Sequence, residues 1–200
     1  MSQTETSINR ATLRGRAVTE AQPSHVSHGM TYLTFPMEVE RLSGAVDTLN
    51  VVVPEEQTIS CPIIPGREYQ VTGEIRSFNN RSGIGSRLII TFFARTVSPA
   101  TGEDVNELEL AGCLCKAPVF RRTPLGREIC DLLLAVNRRY GRADYLPCIA
   151  WGALAHACGE LGVGDTLHLH GRLQSRVYRK VDNGREEERT AFEISIISLD

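Results

Sequence analysis

The amino-acid sequence predicts an all-β chain of two tandem OB-fold barrels, each with five strands, the second with a helix between strands 3 and 4. One observation is a pattern written twice about 97 positions apart, so that Leu13-Arg14-Gly15 is matched by Leu110-Ala111-Gly112. Another is the alternation of apolar and polar residues with a period of two, as in residues 31–39 and 166–170. A repeat of this length indicates a duplicated domain.

The repeat fixes the order of the predicted strands. Its apolar segments are 13–15, 35–39, 50–53 and 71–75 in the first half and 110–112, 132–136, 147–150 and 169–173 in the second. Gly and Pro punctuate the stretches between them, which favours short strands joined by turns. We therefore predict a flexible N-terminus (1–9), a first barrel (10–98), a linker (99–107) and a second barrel (108–200).

One segment breaks the β pattern. Residues 153–161 have the composition of a short helix that Gly162 ends, between the third and fourth strands of the second copy. Its predicted apolar face consists of Leu154, Ala157 and Leu161. The corresponding stretch of the first copy, residues 55–60, is shorter. Five strands with a helix in this place are typical of the OB-fold.

Composition excludes several classes of protein. No apolar run approaches the roughly 20 residues that span a bilayer, and the polar start is not that of a signal peptide, so we expect a cytoplasmic protein. The six cysteines include no Cys-x-x-Cys pair and are expected to be reduced thiols. Net charge is −2, yet residues 116–180 contain eleven Lys and Arg against five acidic residues. Charge alone leaves a nucleic-acid partner and a solvated surface equally open.

The second half resembles the bacterial single-stranded DNA-binding protein family. The resemblance rests on Arg121–Gly126, Leu134–Arg138, Asp144–Gly152 and Gly171–Tyr178, and it covers residues 108–197. The first half shares only the apolar framework and glycines. The family implies sequence-independent binding of single-stranded DNA in replication, recombination or repair, in the bacterial cytosol or nucleoid.

The resemblance also implies particular contacts. Bases would stack on four aromatic residues: Tyr140, Tyr145, Trp151 and Tyr178. Phosphates would be followed by eight cations: Lys116, Arg121, Arg122, Arg138, Arg139, Arg172, Arg176 and Lys180. Independently of the family, Tyr145 and Trp151 are six positions apart in one predicted strand, so they share a face of the sheet. Every base has a π-face, which makes such stacking tolerant of sequence.

The first copy lacks these aromatic residues. The matching positions are Ser43, Thr48, Pro54 and Asn80. Arg76, Arg81, Arg87, Phe78 and Tyr32 lie nearby, and the turn at 79–85 is either a loop that touches DNA or an ordinary hairpin loop. We expect the first barrel to be mainly structural.

Rival sites find little support in the sequence. It contains no phosphate-binding loop, no nucleophile elbow and no zinc-protease motif, so an enzyme is not predicted. Cys113-x-Cys115 and His168-x-His170 each place two potential metal ligands on one strand face, but the spacing is not that of a structural zinc site. We predict no metal and no cofactor.

The predicted partners are single-stranded DNA and a second copy of the chain. Family members commonly assemble four barrels, so a homodimer would supply that number, with the face that bears Cys113, Cys115, His168 and His170 as a candidate contact. The family's acidic tail is not expected after Asp200, and neither is a tail-recruited partner. The alternative function is a primosome-type or RNA-binding OB-fold interaction module.

Overall fold

The computed structural model describes residues 7–81, 86–182 and 184–200. The first half contains β1 (Ile8–Ala17), β2 (Gln22–Ser27), β3 (Met30–Glu40), β4 (Val46–Pro54), α1 (Glu55–Ser60), β5 (Glu68–Asn79) and β6 (Leu88–Pro99). The second half contains β7 (Val105–Leu114), β8 (Val119–Arg122), β9 (Glu128–Arg138), β10 (Arg142–Trp151), α2 (Ala153–Gly159), β11 (Thr166–Asp182) and β12 (Arg185–Leu199).

The chain forms two compact units. One comprises Arg10–Arg76 and Thr91–Glu107, and the other comprises Leu108–Asp200 together with the described residues of Met1–Asn9 and Ser77–Ile90. The end of β5 and the start of β6 therefore belong to the same unit as the second half. Most of the turn at 79–85 and of the N-terminal stretch 1–9, both singled out in the sequence, lies outside the described residues, although β1 already begins at Ile8.

The first barrel orders its strands β2-β3-β4-β6-β5-β1 and closes by a further pairing of β1 with β3. β4 and β6 run parallel, with Val51 opposite Phe92, while the other pairs are antiparallel. Leu13, Phe35 and Phe92 are among its fully buried side chains. The alternation seen in the sequence thus gives each strand one face toward this core.

The second barrel repeats this topology. Its order is β7-β11-β12-β10-β9-β8, and β7 also pairs with β9. The parallel pair is now β10 and β12, with Cys148 opposite Ile194. Leu110, Leu134 and Leu146 are fully buried here. The predicted all-β, two-barrel fold is confirmed, and the position of α2 after the third repeat strand agrees with the predicted helix.

The apolar face predicted for the second barrel's helix is wrong. α2 buries Ala155 and Cys158, whereas Leu154 is half-buried and Ala157 is exposed. The helix ends at Gly159, so Leu161 lies beyond it. In so short a helix, packing against the neighbouring strands outweighs the apolar periodicity. Neither described helix is long and apolar enough to cross a membrane.

Each barrel also has elements that were not predicted. A short strand precedes the second repeat strand in both halves, as β2 and β8, and α1 gives the first barrel a helix in the equivalent place. β2 and β8 are short and almost entirely exposed, and neither alternates apolar and polar residues, which explains why periodicity did not reveal them.

Candidate nucleic-acid interface

Tyr145 in the first half of β10 and Trp151 at its end are both partly exposed. Their relative exposures are 47% and 37%, whereas Leu146 and Cys148 between them are buried. β10 pairs with β9, so that Tyr145 is opposite Ala135 and Trp151 is opposite Ile129. The strand thus turns its aliphatic residues toward the core and leaves two aromatic side chains accessible to a planar ligand.

Tyr140 lies in the tight connection between β9 and β10. It is 96% exposed, and its backbone adopts a left-handed conformation with φ 65° and ψ 36°. Such a conformation is unfavourable for a bulky side chain, and Gly141 beside it also has a positive φ of 67°. A ring held in this way at the tip of a turn contributes little to the core.

Tyr178 lies on the part of β11 that extends toward the β11–β12 turn, opposite Arg189. It is half-buried, and the Arg176 guanidinium carbon lies 5.7 Å from its ring centroid. Arg176 Nε in turn lies 3.6 Å from a carboxylate oxygen of the buried Glu193, to which Gln174 donates a hydrogen bond of 3.0 Å. The ring therefore has one cation over it and an anchored polar network beside it.

Four of the eight predicted phosphate-contacting cations are already paired with acidic residues of the same barrel. Arg121 pairs with Asp131, Arg122 with Glu128, Arg138 with Asp144 and Arg176 with Glu193. Arg172 is half-buried, and its Nε is buried with no hydrogen-bond partner among the described residues. A phosphate would have to compete with these carboxylates for the four paired arginines.

The remaining three predicted cations have no acidic partner among the described residues: Lys116, Arg139 and Lys180. All three are exposed, and in the part of the chain that the structure describes none forms an ion pair. Lys180 has Glu187 directly across the β11–β12 ladder. Lys116 and Arg139 are thus the cations that a strand would meet at least cost.

The Glu128 carboxylate contacts both Arg122 and His156. Arg122 donates to one of its carboxylate oxygens at 2.6 Å, and His156 lies 2.7 Å from the other. The hydrogen bond from Arg122, followed by that from His156, lowers the pKa of Glu128. Similarly, the hydrogen bond to Asp131 raises the pKa of Arg121. In each pair a carboxylate of the same barrel balances the charge of the arginine.

The Arg138–Asp144 pair shows a feature that the sequence analysis missed. Asp144 is fully buried at the start of β10, and it also accepts a hydrogen bond of 2.7 Å from the Ser77 backbone N–H. Ser77 Oγ accepts from the Tyr145 backbone N–H at 2.7 Å. Arg138 therefore helps to position the residue before Tyr145, in addition to any contact with DNA.

Phe78 was noted in the sequence but given no role, and it lies at the same place. It is 41% exposed, and the Arg138 guanidinium carbon lies 5.7 Å from its ring centroid. The repeat in the sequence could have revealed the Arg138–Asp144 ion pair. Arg41 and Asp47 occupy the matching positions of the first copy and form the same pair, with a hydrogen bond of 2.6 Å from Arg41 Nε. A charged pair kept in both copies indicates a structural role.

The first barrel presents no aromatic residue at the matching positions. Ser43 and Thr48 are exposed, and Pro54 and Asn80 are half-buried. Its cations Arg76 and Arg95 instead flank the Phe93 ring, with guanidinium carbons 5.9 and 5.1 Å from the centroid, and both pair with Glu74. Both cations therefore already have partners within the first half of the chain.

The cysteines of the second barrel's core are inert. Burial raises the pKa of Cys148 well above its usual range and that of Cys158 to about 11. Thiols that stay protonated at neutral pH are poor nucleophiles and poor metal ligands. They act as small apolar side chains, as expected for reduced cysteines.

Comparisons with known proteins match the second half of the chain to single-stranded DNA-binding proteins. The family model described as "Single-strand binding protein family" matches residues 105–199. Single-stranded DNA-binding protein 2 of Listeria innocua is 34% identical over 88 residues, covering 40% of this chain and 55% of that protein. Single-stranded DNA-binding protein A of Bacillus subtilis is 33% identical over 88 residues, covering 40% and 51%. The chain thus spans about half the length of these relatives.

Solved structures match the chain over nearly its whole length. The wild-type single-stranded DNA binding protein from Thermus aquaticus superposes with a TM-score of 0.77 at 22% identity, covering 97% of this chain and 92% of that one. This likeness shows the two-barrel fold. In the second half of this chain, residues 105–199 match the model of the single-strand binding protein family, so the second barrel is similar in sequence to that family.

Proposed function

We propose that this chain binds single-stranded DNA without sequence preference, mainly through its second barrel. The observation that carries the proposal is that Tyr145 and Trp151 are exposed on β10 while Leu146, Ile149 and Ala150 between them are buried. Tyr140 and Tyr178 are accessible on the same barrel and would add two further stacking positions. The chain would act by binding DNA, without making or breaking bonds.

Stacking would supply most of the binding energy. Each stack of a base on an aromatic side chain contributes about 1–3 kcal/mol and is insensitive to the identity of the base. Lys116, Arg139 and Lys180 would contact phosphates directly, whereas the paired arginines would do so only after releasing their carboxylates. Binding would serve replication, recombination or repair in the bacterial cytosol.

Trp151 provides the direct test because it is the only tryptophan. Its fluorescence should be quenched as oligo-dT is added, and quenching should saturate. In anisotropy titrations with labelled oligo-dT, Trp151→Ala should weaken binding about 5- to 150-fold, the equivalent of one lost stack. Pro54→Ala changes the matching position of the first barrel and should leave affinity within twofold.

The proposal fails if Trp151→Ala binds like the wild type, or if duplex DNA of equal length binds as tightly as oligo-dT. A parallel titration with oligo-U separates DNA from RNA binding, because tighter binding of oligo-U would make RNA the partner.

We further propose that two chains associate into a homodimer with four barrels. The supporting feature is the outer face of β7 and β11, where Cys113, Cys115, His168 and His170 are only half-buried while Leu114 and Leu167 point inward. Sedimentation equilibrium should give twice the chain mass. A single-chain mass at the concentration used for DNA binding contradicts this arrangement.

A further inference from the structure

A cluster of histidine and carboxylate side chains lies on the outer face of the second barrel, and none of its members is among the residues proposed to contact DNA. It consists of Glu109 on β7, His168 and His170 on β11, and Asp200 directly after β12. In the single chain their side chains are between 26% and 50% exposed, so an ion can reach them before this face takes part in a contact between two chains.

The strand register explains why these residues meet. His168 and His170 are two positions apart on β11 and alternate with the buried Leu167 and Leu169, so both imidazoles lie on the outer face. His170 is directly opposite Glu109 in the β7–β11 ladder. Asp200 is held beside them because its backbone N–H donates to the His168 carbonyl at 3.1 Å.

The side-chain distances are short. His168 Nε2 lies 2.9 Å from Glu109 Oε1, and its Nδ1 lies 3.2 Å from Asp200 Oδ2. His170 Nε2 lies 3.2 Å from the same Asp200 oxygen. One ligand atom each from Glu109, His168 and His170 falls within a span of 4.8 Å.

We propose that Glu109, His168 and His170 form a binding site for a divalent first-row transition-metal ion, with Zn²⁺ as the best chemical match. Two imidazoles and one carboxylate are a ligand set that Zn²⁺ accepts, with the fourth position left to water or an exogenous ligand. Ligand atoms about 2.0–2.2 Å from a tetrahedral zinc lie about 3.3–3.6 Å apart. The present span of 4.8 Å requires only a small side-chain adjustment.

Asp200 adds the outer partner that such sites use. A histidine that binds a metal through one ring nitrogen commonly donates its other N–H to a carboxylate, which fixes the orientation of the ring. With His168 Nε2 toward the metal beside Glu109, its Nδ1 faces Asp200 at 3.2 Å. The geometry around His168 therefore already has this arrangement.

This ligand set differs from the combination of Cys113 and Cys115 with His168 and His170 that the sequence spacing suggested. Cys113 Sγ contacts Thr166 Oγ1 at 3.7 Å, and Cys115 Sγ donates to the Leu133 carbonyl at 3.3 Å. In the β7–β11 ladder, Cys113 is opposite Thr166, while His170 is opposite Glu109. Glutamate is therefore the nearer partner of the histidines.

Metal content tests the proposal directly. The untagged full-length protein, equilibrated with Zn²⁺ and freed of loosely bound metal by dialysis, should retain one equivalent per chain. The double variant His168→Ala/His170→Ala should retain none, and the matched control His156→Ala, which removes another exposed histidine of the same barrel, should retain one. Equal metal content in the wild type and the double variant would overturn the site.

Two further measurements show whether the double variant still folds and which residues bind the metal. Zn²⁺ should raise the melting temperature of the wild type and of His156→Ala but not that of the double variant, whose circular dichroism without metal should match the wild type. Co²⁺ should give visible d–d bands without a thiolate charge-transfer band. A thiolate band that His168→Ala/His170→Ala retains would assign the metal to the cysteines and contradict the proposal.

Discussion

Tyr140 shows at the level of one residue how a binding position differs from a structural one. Its ring is almost fully exposed and its backbone is in the left-handed region, so it gains little from packing and bears conformational strain. A non-glycine residue in this region costs about 1–3 kcal/mol, and such strain is concentrated at functional sites. Stability alone would favour glycine or asparagine here.

This contrast gives a prediction in which stability and binding change in opposite directions. Tyr140→Gly removes the strain and the ring together, so we expect the free energy of unfolding to stay equal or to rise by up to about 1 kcal/mol. Affinity for oligo-dT should fall at least about fivefold, because one stack is lost.

Chemical denaturation and anisotropy measure these two quantities on the same protein. Tyr140→Phe keeps the ring and is the control, expected to bind like the wild type. A clear loss of stability in Tyr140→Gly, without loss of binding, would show that the ring is a structural contact.

The sequence indicates which residue types occupy the candidate site more readily than it indicates how they pair. The four aromatic positions follow from the resemblance to a family, and the sequence shows directly that each of them is aromatic. The pairing of Arg121 with Asp131 and of Arg138 with the buried Asp144 depends on strand register, which the sequence does not display. For the same reason Glu109 and Asp200 were not linked to the histidines.

At the level of elements, the repeated glycines mark where strands approach too closely for a side chain. A Cβ on Gly112 in β7 would lie 2.4 Å from the Ala135 carbonyl oxygen, and one on Gly15 in β1 would lie 2.2 Å from that of Glu38. Neither has the positive φ that would call for glycine on conformational grounds. The need for glycine here is steric, because Gly15 and Gly112 lie where β1 pairs with β3 and β7 pairs with β9 to close the two barrels.

Gly112→Ala should therefore destabilise the second barrel. The carbonyl belongs to the backbone of β9 and cannot rotate away, so the strands must separate, at a cost of about 1–3 kcal/mol. Thermal unfolding followed by circular dichroism should show a lower melting temperature.

Gly159→Ala is the matched control, because its Cβ would meet Phe120 at an ordinary distance of 3.6 Å. As it lies in α2, it should be neutral or slightly stabilising. Equal stability of Gly112→Ala and the wild type would mean that the crossing is looser than the geometry indicates.

The order of strands along the chain was predictable because the repeat marks the segments and the period of two marks the buried face, whereas their pairing follows from the OB-fold class. The interior face of α2 was not predictable, because in a helix of two turns the choice between Leu154 and Ala155 depends on the space left by neighbouring strands. β2 and β8 are short and exposed and carried no periodic signal to detect.

At the level of the whole molecule, the two barrels share a framework but differ in what they expose. The second has accessible aromatic residues at all four predicted stacking positions, whereas the first has none and occupies its own Arg76 and Arg95 with Glu74 and Phe93. A net charge of −2 with many cations already paired is unlike a protein that binds DNA mainly by charge. Stacking is therefore expected to dominate the affinity of the whole chain.

The salt dependence of binding follows from this charge distribution. Each phosphate neutralised on a single strand contributes about −0.7 to the slope of log K against log salt. If only Lys116, Arg139 and Lys180 contact phosphates directly, the slope should be about −2, whereas all eight candidate cations would give about −6. Titrations of labelled oligo-dT at several salt concentrations distinguish these cases.

Glu128→Gln removes the carboxylate that holds Arg122 at 2.6 Å, so it should tighten binding at low salt and steepen the slope by about 0.7. A wild-type slope near −6, unchanged in Glu128→Gln, would mean that DNA displaces these ion pairs itself and that charge contributes as much as stacking.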